Sequence, residues 1–378
     1  MAKTTKKTKT KKPGFKEITE HMTGMLGEAG EQLERRHGRE ELDHACLACL
    51  KEALQLAIDL EFSTIPPYLA ALWSIKDDLH PAAKSIREVV QEEMLHMALA
   101  CNMLTAIGGQ PKITADPPAY PTELPGDLHP GLRVELEGLN NDSLRSFMHI
   151  ELPNELFELD PNDDWKVEIP TFPTPCTTIG VFYEKLHALF ELLDPPFSRD
   201  RQVTGPLSYA NIGNLAGVKW AIELISNQGE GSTKSPFEDE AGTDLSHFYR
   251  FEQVFMRAEL KWSQVKKCFN KGQCREFPDT WPMGRVPRGG YVDSHLKGLN
   301  DEDRAVVASN LTKFDQVYSH LLNLLQSTWG GGGQRSLIQA YETMFELERY
   351  AKPLMKVLIP GGDGKTFGPC FRYTEHTS

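Results

Sequence analysis

No stretch of this chain approaches the roughly 18 uninterrupted apolar residues that a membrane-spanning helix needs, and no apolar segment follows the N-terminus as a secretory signal requires. The expectation is a soluble, cytoplasmic protein. Cysteine is sparse and poorly placed for a disulfide framework. Cys46, Cys49, Cys101, Cys176, Cys268, Cys274 and Cys370 form an odd, scattered set, which reads as reduced thiols. Cys46 and Cys49 make a Cys-x-x-Cys, but no second such pair answers it, so they read as small residues on a helix face. No segment repeats at a fixed period. Positive charge is outnumbered beyond the start: "MAKTTKKTKTKK" carries six lysines and no acid, and removing those six charges takes the formal net charge from −12 to −18. So acidic a body argues against a nucleic-acid-binding face. Residues 1–20 have the composition of a disordered basic tail.

What is present is helical periodicity. With 378 residues, 40% of them hydrophobic, the chain can bury a large core in one big domain or two ordinary ones. "REELDHACLACLKEALQLAIDLEFSTIPPYLAALWSIK" reads as a long first helix bent at Pro66–Pro67. "HPAAKSIREVVQEEMLHMALACNMLTAIGG" reads as a second, with proline near its start and Gly108–Gly109 at its end. Residues 110–177 are proline-rich and read as a long excursion over a bundle, with a strand at Arg133–Leu136. Helical pattern resumes at "TTIGVFYEKLHALFELL", "LAGVKWAIELISNQ" and "DLSHFYRFEQVFMRAEL". A last amphipathic helix, "RSLIQAYETMFELERYAKPLMKVL", is set off by "WGGGGQ", which reads as a flexible linker. The fold class expected is all-α. The organisation expected is a bundle over 38–270 with its insertion at about 110–177. A C-terminal extension over 271–378 then adds a linker and a helix that packs on the bundle.

Two of the apolar stripes contain residues that do not belong in a core. In the second helix the stripe runs Val89, Glu93, His96, Ala100, Met103, Ile107. In the first it runs Leu54, Ile58, Glu61, Ile65, Tyr68, Leu72. Both have the spacing of a single buried face. Bare carboxylates in an apolar interior cost several kcal/mol or become neutral, and a divalent metal removes that penalty by supplying the opposite charge. Glu61 and Glu93 stand 32 residues apart, which puts them at one level of two antiparallel helices joined by a short loop. Glu on one helix facing Glu-x-x-His on the next is half of a dinuclear carboxylate site in a four-helix bundle. Glu92 lies one residue off the stripe, so its removal is expected to be nearly silent.

The second half should supply a matching set, and spacing alone does not choose it. Glu184-x-x-His187, Asp244-x-x-His247, Glu223, Glu230 and Glu151 are all candidates. Tyr68, Tyr183 and Tyr249 lie near candidate ligands and could line a substrate cavity, though ordinary core aromatics have the same spacing.

"EFSTIPPYLAALWSI", "EEMLHMALACNMLTAIGGQP", "FMHIELPNE", "TIGVFYEKL", "NQGEG" and "LSHFYRFEQV", in this order and with the closing "IPGGDGKTFGPCFRY", resemble the ferritin-like family named for iminophenylpyruvate dimer synthase, found in bisindole pigment pathways. The likeness covers most of residues 45–375. It implies a ferritin-like four-helix bundle with a metal centre, and it favours Glu61, Glu93, His96, Glu184, Glu230 and His247 as ligands. It prefers His247 over His187, which also sits beside the stripe Ile179, Phe182, Leu186, Leu189, Leu193. There are departures: Asp244 stands where that family leads one to expect Glu, Phe248 where it leads one to expect Tyr, and the dimer synthases are much longer chains.

Carboxylate and imidazole ligands together suit Fe2+, with ligands enough for two ions, and manganese is the alternative ion. The function expected is a non-haem diiron, oxygen-dependent oxidoreductase acting on a small organic, amino-acid-derived substrate. The alternatives are a ferritin-like iron-oxidising or iron-handling protein, an imine-coupling synthase, and a metal-free scaffold. The partners expected are the small-molecule substrate and O2, with a homodimer as the candidate assembly and neither nucleic acid nor membrane.

Overall fold

A computed structural model of the protein describes residues 39–156, 178–205, 211–229, 231, 235–238 and 244–375. The basic tail, Cys176 and Glu230 lie outside these residues. Arg39–Ser74 contains no glycine and forms one helix of 36 residues, α1, about 54 Å long at 1.5 Å per residue. It runs on through Pro66 and Pro67, and one of the two carbonyls that lose a donor there is served otherwise. Pro67 has no N–H to offer the Ser63 carbonyl, and the Tyr120 hydroxyl donates to it instead at 2.7 Å. The Ser63 and Thr64 hydroxyls turn back onto the carbonyls of Leu60 and Glu61, at 2.7 and 2.8 Å.

A short connection leads to α2 (Pro81–Ala106), which packs along α1. Its start is set by Pro81 at the first turn and by the His80 ring, which accepts a hydrogen bond from the Ala82 N–H. Its end is set by Gly108, whose φ of +74° suits the left-handed cap that closes a helix. The Gly109 N–H then bonds the Leu104 carbonyl at 2.9 Å.

The proline-rich excursion contributes more than a cover. It holds a two-stranded antiparallel pair, β1 (Thr122–Glu123) with β2 (Arg133–Val134), shorter than the Arg133–Leu136 strand read from sequence. It also holds a helix, α3 (Asn141–Ile150), started by a reciprocal Asn140–Ser143 capping box. Then follow α4 (Ile179–Leu193), capped by Thr178, α5 (Leu215–Gly229) and α6 (His247–Met256). A hairpin, β3 (Ala258–Ser263) with β4 (Cys268–Cys274), leaves the end of α6.

Two long helices close the chain, α7 (Asp301–Ser327) and α8 (Gly333–Leu354). The glycine run between them forms a π-helical turn, Thr328–Gly332. It is anchored rather than free: Trp329 is buried and its Nε1–H donates to Asn102 Oδ1 on α2 at 2.9 Å. The C-terminal segment returns to the bundle, where Phe371 stacks on Trp73 and meets Phe314 edge-on. Arg372 pairs with the buried Asp315. The molecule is all-α apart from these short strands, and its core runs continuously from α1 and α2 to the α7–α8 pair. No described helix is long and apolar enough to cross a membrane.

Candidate metal centre

Five ionisable side chains meet in the interior where an apolar core would ordinarily stand. Glu61 comes from α1, Glu93 and His96 from α2, Glu151 from the residue that caps α3, and His247 from the first turn of α6. None is more than 4% exposed. Ligand atoms of Glu61, Glu93 and His96 lie within 4.8 Å of one another, and so do those of Glu93, Glu151 and His247. Glu93 belongs to both groups, so the cluster has two halves joined through one carboxylate.

The halves mirror each other in their partners. In one, His96 Nδ1 lies 3.5 Å from Glu61 Oε2, and Glu61 Oε1 accepts a 2.5 Å hydrogen bond from Tyr183. In the other, His247 Nδ1 lies 2.8 Å from Glu93 Oε1 and 3.5 Å from Glu151 Oε2, while Glu151 Oε1 accepts a 2.6 Å bond from Tyr68. The two imidazoles stack at 5.5 Å, 22° from parallel. Glu93 Oε2 lies 2.8 Å from the Thr64 hydroxyl, whose single proton is shared between it and the Glu61 carbonyl.

The far side of each ring decides which nitrogen carries the proton. His247 Nε2 stands 2.8 Å from Glu92 Oε2, an acceptor only, so Nε2 is the N–H. Gln228 turns its amide N–H toward Glu238, leaving Oε1 to accept from His96 Nε2 at 2.8 Å. Both Nδ1 atoms therefore face inward, toward three carboxylates, with a lone pair free for a metal whenever the ring is neutral. His247 Nδ1 is buried and faces only carboxylate oxygens, Glu93 Oε1 at 2.8 Å and Glu151 Oε2 at 3.5 Å. A centre composed of acceptors alone is unstable without cations or protons, and imidazole nitrogens backed by a hydrogen bond on the other nitrogen are how metal ligands are ordinarily held. The residues present fit a divalent metal in each half.

Without metal, protons must take that role. Burial, then repulsion from Glu151, pushes the Glu93 carboxyl up to about 8. Burial disfavours the His247 imidazolium, but the Glu151, Glu92 and Glu93 carboxylates outweigh it and hold the ring well above its usual value. His96 is raised in the same way, burial being outweighed by Glu61 and Glu93. Glu151 stays below the usual carboxylate range, because His247 and the Tyr68 hydroxyl outweigh its burial.

Of the residues singled out from sequence, the structure brings together Glu61, Glu93, His96 and His247. Glu184 does not join them. It is exposed on α4, because the buried side of that helix is Phe182, Tyr183, Leu186, Leu189 and Phe190. One residue is about 100° of helical turn, so Tyr183 points in and Glu184 points out. Its place is taken by Glu151, until now only a rival candidate. The signal for it was there: Leu144, Phe147 and Glu151 repeat the i, i+3, i+7 stripe that revealed Glu61. His187 is half-buried, with Nε2 3.9 Å from Glu191 on its own helix. Asp244 is exposed and precedes α6, and Glu223 is exposed on α5. Phe248 packs edge-on against Tyr249, and Tyr249 packs against Phe269, so this tyrosine is a core aromatic. Glu92 is not the bystander expected of a residue off the stripe: it backs His247 and pairs with Arg250.

The profile of the ferritin-like family matches residues 54–256, more than half of the chain and the part that carries all five residues. A crystal structure of a ferritin-like protein from Caulobacter vibrioides is similar to this fold, with a TM-score of 0.57 and 22% identity, covering 86% of this chain and 97% of that one. Comparison with curated proteins gave no match.

Proposed function

This chain belongs to the ferritin-like family, and from that premise we propose that it is a dinuclear non-haem iron, oxygen-dependent oxidoreductase acting on a small organic substrate. The observation that carries the reading is the inward-facing Nδ1 of His247, buried against carboxylate oxygens of Glu93 and Glu151. Glu61 and His96 hold one metal, Glu151 and His247 the other, and Glu93 stands between them. Iron bound there supplies the redox chemistry with oxygen, manganese being the alternative ion. The chain's own contribution is to fix the ligands and keep water out. Tyr183 and Tyr68 each hold one carboxylate in place, and Tyr68 is itself packed between Phe147 and Phe251.

The substrate approaches from the outer side of α4 and α5. A polar cleft of about 430 Å3 opens there, lined by Asn154, Glu184, His187, Lys219, Glu223 and Asn227. Asn227 adjoins Gln228, the partner of His96. Acidic and basic groups side by side suit a zwitterion such as an amino-acid-derived substrate.

The test is anaerobic reconstitution with Fe2+, metal analysis, and oxygen uptake with and without a panel of amino acids and their imines. About two irons per chain with substrate-dependent uptake and an altered organic product supports the reading. Uptake that tracks added Fe2+ alone, with no organic product, replaces it with iron handling. Less than about half an equivalent of metal rejects a metalloprotein altogether.

A further inference from the structure

The two halves of the cluster match in carboxylate, imidazole and tyrosine, but differ behind the imidazoles. His247 donates its Nε2–H to the Glu92 carboxylate, His96 to the amide oxygen of Gln228. These two outer partners belong to one chain of contacts. Arg250 Nη1 donates to Glu92 at 3.1 and 3.2 Å, Arg250 Nη2 pairs with Glu238 Oε1, and Glu238 Oε2 accepts from Gln228 Nε2 at 3.4 Å. The chain runs from the back of one imidazole to the back of the other, through α6, α2, α5 and the segment before α6. It is polar, half-buried, and held by one buried guanidinium placed between two carboxylates.

A carboxylate behind an imidazole draws on its N–H more strongly than an amide does, and so makes the opposite nitrogen a better electron donor to a metal. Arg250 tempers both carboxylates and does not equalise the rings, since only His247 touches one directly. We infer that the cluster's two metal positions are unequal by design of these outer residues: the His247–Glu151 half fills first and holds its ion more tightly, and Glu92 is the positioning residue that makes it so. This rests on the reading of the cluster as a two-metal site. It concerns the order and strength of loading, which that reading leaves open.

The experiment is a titration of the metal-free protein with Co2+ alone, followed by calorimetry and by the visible absorption of the bound ion. Two steps are expected, with dissociation constants roughly ten- to a hundredfold apart. Glu92→Gln keeps an acceptor behind His247 but removes its charge. It is expected to weaken the tighter step by about tenfold or more and to move the weaker step less than about threefold. His96→Ala should keep the tighter step and lose the weaker, and His247→Ala the reverse. If Glu92 were only a structural support, Glu92→Gln would restore wild-type constants where Glu92→Ala does not, and the inference would fall. Two steps of equal strength in the unaltered protein, or loss of the weaker step in Glu92→Gln, would also overturn it while leaving the two-metal reading intact. Absence of any Co2+ binding to a folded protein overturns both together.

Discussion

Tyr183 and Glu61, 122 residues apart in the chain, are joined inside the bundle by a hydrogen bond of 2.5 Å. The bond ties α4 to α1 at the level of the cluster. Across the site Tyr68 does the same for Glu151 at 2.6 Å, 83 residues away. Burial and the neighbouring carboxylates hold both phenols far above their usual pKa, so each remains a donor at neutral pH. A carboxylate that keeps one oxygen bonded to a phenol turns the other toward the centre.

Tyr183→Phe and Tyr68→Phe are therefore expected to leave a folded protein whose metal dissociates roughly ten times more readily, each from its own half. Competition with a chelator, followed by metal analysis, measures the effect. Retention equal to the unaltered protein in both variants would show that the carboxylates need no such support.

Glu151 and Glu184 give the sharpest comparison between sequence and structure. Glu151→Ala is expected to take metal content from about two ions per chain to about one, because it removes a ligand of the His247 half. Glu184→Ala, on the exposed face of α4, should leave metal content unchanged and stability within about 0.5 kcal/mol, as surface substitutions usually do. The opposite result would return the second half of the centre to the set expected from sequence.

Why one half was legible and the other was not has a physical cause. α1 and α2 are long, and a carboxylate in the middle of a long apolar stripe contradicts its surroundings; Glu61, Glu93 and His96 could be found from that contradiction alone. Glu151 caps a helix of only ten residues inside a proline-rich stretch, where the periodic background is too short to make one charge stand out. His247 begins α6, so half of its helical context is missing, and only a resemblance selected it. Glu92, Gln228, Glu238 and Arg250 were beyond reach for another reason. None lies on an apolar stripe that would mark it, and what unites them is contact between residues up to 158 apart. The glycines at 330–333 gave the pattern of a linker because composition does not reveal that the tryptophan beside them is buried.

The metal-free protein should lose stability as pH rises. Glu93 holds its proton in the folded state up to about 8, whereas an unfolded carboxyl gives it up near pH 4.5. A folded pKa above the unfolded one stabilises fully below the unfolded value and less and less as pH climbs through the folded value. His247, also raised, adds in the same direction above its ordinary value. Glu252, pushed up to about 8 by burial alone, adds a part that owes nothing to the centre, and Glu252→Gln should remove that part only. Metal replaces the protons at the centre, so its stabilising effect is expected to grow between about pH 5 and pH 8. Thermal melts with and without Fe2+ under anaerobic conditions, run across that range, check the sign. A metal-induced rise in Tm that shrinks with increasing pH would contradict these protonation states.

Asn102 offers a test of the scaffold that leaves the ligands alone. It is wholly buried on α2, yet it spends every polar atom. Its Oδ1 accepts from the Val203 N–H at 3.1 Å and from Trp329 Nε1 at 2.9 Å, and its Nδ2 donates to the Val203 carbonyl at 2.8 Å. One side chain thus fastens the segment after α4 and the turn between α7 and α8 onto the helix that carries Glu93 and His96. Asn102→Leu is close in volume and deletes these bonds, leaving the indole N–H of Trp329 and the two backbone groups of Val203 without this partner. Stranding such groups costs about 1–3 kcal/mol each, less whatever relaxation recovers, so a loss of about 3 kcal/mol is expected in a denaturant melt. Because no ligand is touched, the fraction that stays folded should bind metal in normal stoichiometry. A variant as stable as the parent would mean that Trp329 is held by packing alone, and that the C-terminal helices dock without this bond.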